Sequence, residues 1–222
     1  MFDFMFGDVA YRVRPNGTAC TIADQHNTQF TGGVERMPTF LRPEMAFTLK
    51  ETVYSRLGLK SHTSLPAKIT LVSRKRSRKF LNEYQLATFL EQETRMPVAV
   101  VDFASISPAE QVVVMHGTGI FVGMHGAVFA NSFFLPRGAV AIEVFPGRYY
   151  RSMYSLYVQS AGATMYTYHE PHVTNITFDV SERNLDVEVS LSSFSVLLTK
   201  ATQAFHDNNQ LYYRKRQPSS WQ

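Results

Sequence analysis

The chain predicts an α/β fold built on a Rossmann-like, doubly wound parallel sheet. Three observations carry that expectation. Short apolar runs recur at Ile69–Ser73, Val98–Val101, Gly119–Met124 and Ala139–Phe145 without strict alternation, which suits strands covered on both faces. Helix-forming stretches with start and stop signals separate them, so residues 69 to 146 read strand, helix, strand, helix, strand, helix, strand. Each gap is long enough for a crossover and too long for a hairpin.

Taken in order, residues 1 to about 40 hold short mixed segments with glycine turns, and read as the tail of a preceding N-terminal domain and a linker ending at residue 43. Residues 44 to 58 have apolar spacing close to helical and end on Gly58. The strand at Ile69 leads into the basic cluster Arg74, Lys75, Arg76, Arg78 and Lys79. Asn82 with Gln85 forms a capping-box pattern, and Leu81 with Leu86 occupies the staple positions, so a helix is expected from there to Pro97. Ser107-Pro108-Ala109-Glu110 is a second capping box with proline at the first helical position, opening a helix that stops at Gly117.

Residues 116 to 146 form the centre of the pattern: an apolar strand, the turn His125-Gly126-Ala127, a short helix from Val128 to Leu135, and a second strand closed by Pro146. Further on, a helix is expected from Ser152 to Ala161, a strand from Thr164 to Tyr168, strand-like alternation over 173 to 189, and a helix from Ser192 to Phe205. The main domain is thus residues 44–207, and residues 208–222 read as a frayed, basic, polar tail.

Composition narrows the function classes. An apolar content of 45% supports a real core and excludes a disordered chain. The single cysteine, Cys20, excludes an internal disulfide, and no run of about eighteen apolar residues exists to cross a membrane. The net charge of +4 is modest but concentrated in the 74–79 cluster and in Arg214, Lys215 and Arg216. Asn16-Gly17-Thr18 and Asn175-Ile176-Thr177 are acceptor triplets for N-glycans if the chain enters the secretory pathway.

Ligands of open parallel sheets bind beyond the carboxyl ends of the strands. That rule selects Ser73, Arg74 and Arg78, then Asp102, then His125, Gly126 and Ala127, and finally Glu143. Arginines suit a diphosphate because the guanidinium presents a rigid fork of donors and stays charged when partly desolvated. The competing reading of the cluster is a solvated basic loop or a nucleic-acid patch; its place directly after a core strand and its lack of interleaved aromatics favour phosphate over nucleic acid.

Gly126 lets the backbone approach a ligand, and the helix that follows would offer free N–H groups. His125 either donates to a phosphate or leaving group, or holds its loop. Glu143 interrupts an apolar strand and needs a partner, a ribose hydroxyl or a local arginine such as Arg148. No phosphate-binding glycine motif, nucleophile elbow or metal-ligand spacing is present, so a metal-dependent site is unsupported.

Read together, Ile69 to Arg74 with Arg78 and Asn82-Glu83, then Ser107 to Gln111, Val122 to Ala127, Phe134-Leu135-Pro136 with Gly138, and Ile142 to Pro146 resemble glycosyltransferase family 61. That family includes protein O-linked N-acetylglucosaminyltransferases and plant xylosyl- and arabinosyltransferases. The series spans about residues 40 to 200.

The resemblance implies the C-terminal, donor-binding half of a two-lobed GT-B glycosyltransferase. Such an enzyme is inverting and metal-independent, moving a sugar from a nucleotide sugar, UDP-linked, to a protein or glycan hydroxyl. It implies that Ser73, Arg74 and Arg78 meet the diphosphate, that His125, Gly126 and Ala127 form the loop against it with His125 as the catalytic group, and that Glu143 lies near the nucleoside. No cofactor beyond the donor and no nucleic-acid partner are implied. The implied compartment is the lumen of the Golgi or endoplasmic reticulum, reached through an N-terminal anchor outside this chain. Because an N-terminal half would supply acceptor surface and general base, a non-catalytic nucleotide-sugar or glycan-binding remnant is the alternative.

Overall fold

The computed structural model of the chain describes residues 43–176 and 180–213. Its centre is the β-branched run Ile69–Val72 (β1), which is fully buried and hydrogen-bonded on both edges. Val98–Val101 (β2) pairs with it on one side and Ile120–Met124 (β3) on the other. Val140–Val144 (β4) and Thr164–Tyr168 (β5) continue outward from β3. All pairs are parallel and the order is β2-β1-β3-β4-β5. Every residue of β3 and β4 is buried, which is why those runs show no polar alternation. The order reverses between β1 and β3, placing the switch-point crevice between the turn after β1 and the turn after β3.

Helices cover both faces. Pro43–Arg56 (α1) and Ser155–Ala161 (α4) pack together, and α4 and Pro108–His116 (α3) pack on a short helix formed by Ala127–Phe134. Glu83–Thr94 (α2) meets Leu191–Tyr213 (α5), which lies across β3, β4 and β5. The α3 capping box forms as expected: the Ser107 side chain accepts from Glu110 N–H, and Glu110 accepts from Ser107 N–H at 2.7 Å.

The short helix expected after the His125 turn forms, as a 3₁₀ helix over Ala127–Phe134. Three other local expectations are corrected. Asn82 does not cap α2. Its amide donates to Val189 O (2.8 Å) and accepts from Val189 N–H (3.0 Å), and Leu81 is exposed rather than stapled to Leu86. Among the described part of residues 173–189 there is no strand, only an isolated parallel bridge of Val187 to Phe80. These contacts clamp the 186–190 segment onto the end of the basic loop, with Asp186 taking Lys79 as ion partner at 3.3 Å. Last, α5 continues through Tyr213, where Asn208 donates to Gly138 O and Tyr213 to Arg137 O, so the chain is helical beyond 207. Cys20, the triplet at Asn16 and Arg214–Arg216 lie outside the described residues.

Lys50 joins two layers. Its buried ammonium donates to Leu135 O (3.0 Å) and Ala161 O (2.9 Å), the carbonyl ends of the 3₁₀ segment and of α4, where helix dipoles favour a cation. Burial nevertheless lowers its pKa to about 8, against a smaller raising effect from Glu51. The unfolded chain therefore holds more protons between pH 8 and 10.5, and stability should rise across that window by roughly 3 kcal/mol. Denaturant titrations should show this rise in the native protein and not in Lys50→Met, which at pH 7 should lose about 1–3 kcal/mol by orphaning two buried carbonyls.

Candidate functional site

The two turns flanking the switch point meet. Arg78 reaches across from the loop after β1 and donates from Nη1 to His125 O at 2.8 Å. Arg74 is braced within its own loop, donating from Nε to Ser77 O at 2.9 Å. Both guanidiniums press on Gly126: a Cβ there would lie 2.8 Å from Arg78 Nη1 and 3.0 Å from Arg74 Nη1. Gly126 has φ 156° and ψ −179°, a conformation close to glycine-only. Arg78 itself adopts a left-handed φ of 57°, so the loop is held in an uncommon shape on both sides of the contact.

A cleft of about 560 Å³ opens at this junction, lined by Ser73, Arg74, Ser77, Asp102, Ala127 and Asn131 among others. Asp102 shapes its own turn by accepting Ala104 N–H at 3.0 Å. The first N–H bonded into the 3₁₀ turn is that of Phe129, donating to Gly126 O, so those of Ala127 and Val128 precede the ladder.

The electrostatics of the junction are one-sided. Half-burial lowers the pKa of Arg74 and Arg78, and for Arg78 the charges of Arg74 and Arg183 add to that effect. Guanidiniums remain cationic under such conditions. Neither has an ion pair among the described residues, and Arg78 Nε is buried with no hydrogen-bond partner. No cluster of three or more potential metal-ligating side chains occurs among the described residues.

His125 and Glu143 stand behind this wall, not on it. His125 is 2% exposed and Glu143 0%. His125 donates its N–H to Val144 O, and its Nδ1 lies 2.7 Å from Glu143 Oε1. The imidazole is stacked on Phe145 with edges toward Tyr149, which leaves the ring no rotational freedom. Burial first, then the charges of Arg78, Arg151, Arg183 and Arg74, push its pKa down to about 3. Burial drives Glu143 well above the usual carboxylate range. The Glu143 partner is therefore His125. The local arginine considered for it, Arg148, is paired with Glu182 at 2.6 Å instead. Through its backbone carbonyl His125 also holds the Arg78 guanidinium.

Sequence reasoning passed over Gln111 and Asn131, both 3% exposed and both on the cleft wall. Each is a polar residue inside an apolar helical run, the same signal that singled out Glu143. Asn175 is exposed, while Thr177 of its triplet is outside the described residues.

Two outcomes test this geometry. The unfolded His125 binds a proton below pH 6.5 that the folded one refuses down to about pH 3, so His125 contributes a loss of stability as pH drops through that window, opposed by Glu143, whose folded carboxyl takes up its proton at higher pH than the unfolded one. Thermal melts of His125→Asn should lack that component. Gly126→Ala should cost about 1–3 kcal/mol in the same melts and displace both guanidiniums.

The family profile described as Glycosyltransferase 61 matches residues 19–142. Among similar curated proteins are those called protein O-linked-mannose beta-1,4-N-acetylglucosaminyltransferase 2. The human one is 37% identical over 89 residues, 39% of this chain and 15% of its own length. The Takifugu rubripes one is 41% identical over 78 residues, 35% of this chain and 13% of its own length. The Xenopus tropicalis one is 37% identical over 87 residues, again 39% and 15%. The chain thus spans about one seventh of the length of these relatives.

Proposed function

The chain belongs to glycosyltransferase family 61, and on that premise we propose that it is the donor-binding lobe of an inverting GT-B glycosyltransferase that uses a UDP-linked sugar. The observation that carries this reading is the cationic junction: two half-buried guanidiniums, without carboxylate partners among the described residues, converge on a glycine turn at the switch point of a parallel sheet. A diphosphate supplies the missing negative charge, and Arg78 Nε and the N–H groups of Ala127 and Val128 supply further donors.

In the reaction the acceptor hydroxyl oxygen attacks the anomeric carbon and gives its proton to a general base outside this lobe, while the bond from that carbon to the diphosphate oxygen breaks and its electron pair leaves with the diphosphate. Arg74 and Arg78 offset the charge that grows there, the role a divalent cation plays in metal-dependent transferases, and so need no metal or other cofactor. Ser73 and Gly126 frame the diphosphate. His125 acts as a positioning residue: anchored on Glu143, it holds the carbonyl that aims Arg78. Glu143 accordingly contributes through His125, not by touching the nucleoside. The acceptor is a hydroxyl on a protein or glycan, and the compartment is the lumen of the endoplasmic reticulum or Golgi, where Asn16 and Asn175 would be open to N-glycosylation.

Calorimetric titration with UDP tests the reading. Arg74→Ala and Arg78→Ala should each weaken binding by about 1.5–3 kcal/mol, the worth of a hydrogen bond to a charged group. UDP affinity equal in the native chain and both variants would remove its basis.

A further inference from the structure

Beyond the guanidiniums, the far wall of the same cleft holds a polar relay. Gln111, on α3, donates from Nε2 to Phe103 O (2.8 Å) and to Ile106 O (3.3 Å). Two carbonyl acceptors fix which end of that amide carries the nitrogen, so its Oε1 must act as an acceptor. It accepts from Asn131 Nδ2 at 3.0 Å. The Asn131 amide is thereby oriented in turn, with Nδ2 committed to the protein and Oδ1 accepting no hydrogen bond from any described residue. Asn131 is 3% exposed yet lines the cleft beside Phe103 and Val128. An acceptor that is oriented by its neighbours, takes no hydrogen bond from the described residues and sits on the cleft wall is placed to meet a donor there.

We propose that Asn131 Oδ1, held by Gln111, is a specificity-determining acceptor for a neutral amide or imide N–H of the bound nucleotide sugar, with Phe103 and Val128 as the apolar flank of that subsite. This rests on the diphosphate reading, because Arg74 on the same cleft lining, with Arg78 beside it at the Gly126 turn, anchors the ligand whose N–H is read. A ligand of that class carries such a group in one of two places, the imide of a uracil ring or the acylamino substituent of the sugar. An analogue methylated at that nitrogen cannot donate, so Asn131 Oδ1 loses water without gaining a partner, and discrimination is strong where the subsite is used.

Calorimetry on the native chain with pyrophosphate, with UDP against N3-methyl-UDP, and with UDP-N-acetylglucosamine against its N-methylacetamido analogue separates the possibilities. One of the two pairs should differ by about 10- to 100-fold, the worth of one orphaned buried acceptor. The first pair identifies the base as the donor and the second the sugar. That preference should vanish in Asn131→Ala while pyrophosphate affinity stays as in the native chain. The double variant Gln111→Leu/Asn131→Leu replaces both partners by apolar groups, guards against misfolding of the single variant, and should show the same loss. Absence of any preference in the native chain, or a preference that survives both variants, overturns the subsite and leaves the diphosphate reading standing if pyrophosphate binds. Failure of pyrophosphate itself to bind removes both.

Discussion

Positive charge held partly out of water, with no ion pair among the described residues, is the constraint to which the rest of the site answers. Arg74 and Arg78 lose hydration where their loop folds against the Gly126 turn, and the charge of Arg74 adds to the cost at Arg78. A protein that wanted only stability would place a carboxylate there, as it does at Lys79 with Asp186 and at Arg148 with Glu182. Of the two carboxylates near the junction, Glu143 is sealed behind His125 and driven toward its neutral form by burial, and Asp102 lines the cleft and acts on Arg74 without forming an ion pair with it. Arg74, Lys75 and Arg76 on the same lining leave the cleft a net positive potential.

The scaffold makes that arrangement affordable. Fully buried β1, β3 and β4 give the two turns rigid origins, and the parallel register sets both at the same rim of the sheet. The 186–190 segment closes the far end of the basic loop through Asn82, Phe80 and Lys79. Behind the second turn, His125 is locked by Glu143, Phe145 and Tyr149, so the carbonyl that receives Arg78 has little freedom to move. Small residues matter for clearance: Gly123 sits where a Cβ would crowd Val72 and Phe129, and Gly126 where it would crowd the guanidiniums.

Local chemistry announced most of the fold. Apolar runs, capping pairs and glycine stops located five strands and most helix boundaries, because burial and capping leave marks within a few residues of where they act. Strand order was not written there, and neither was the 3₁₀ character of Ala127–Phe134. Asn82 shows how such marks mislead. Its spacing matches a helix cap, yet a segment more than a hundred residues later offers its amide two backbone partners at once.

The candidate site divides in the same way. From the sequence alone came the sheet class, the carboxyl-end rule and hence Ser73, Arg74, Arg78 and the His125–Ala127 turn, since these depend on residue type and on position relative to a strand. Only the tertiary structure decided that Glu143 faces His125, that Arg78 crosses to a carbonyl on the other turn, and that Gln111 and Asn131 join across two helices to the same cleft. Partners in a folded chain are chosen by proximity in space, and residues 18, 47 and 20 positions apart carry no local sign of having met.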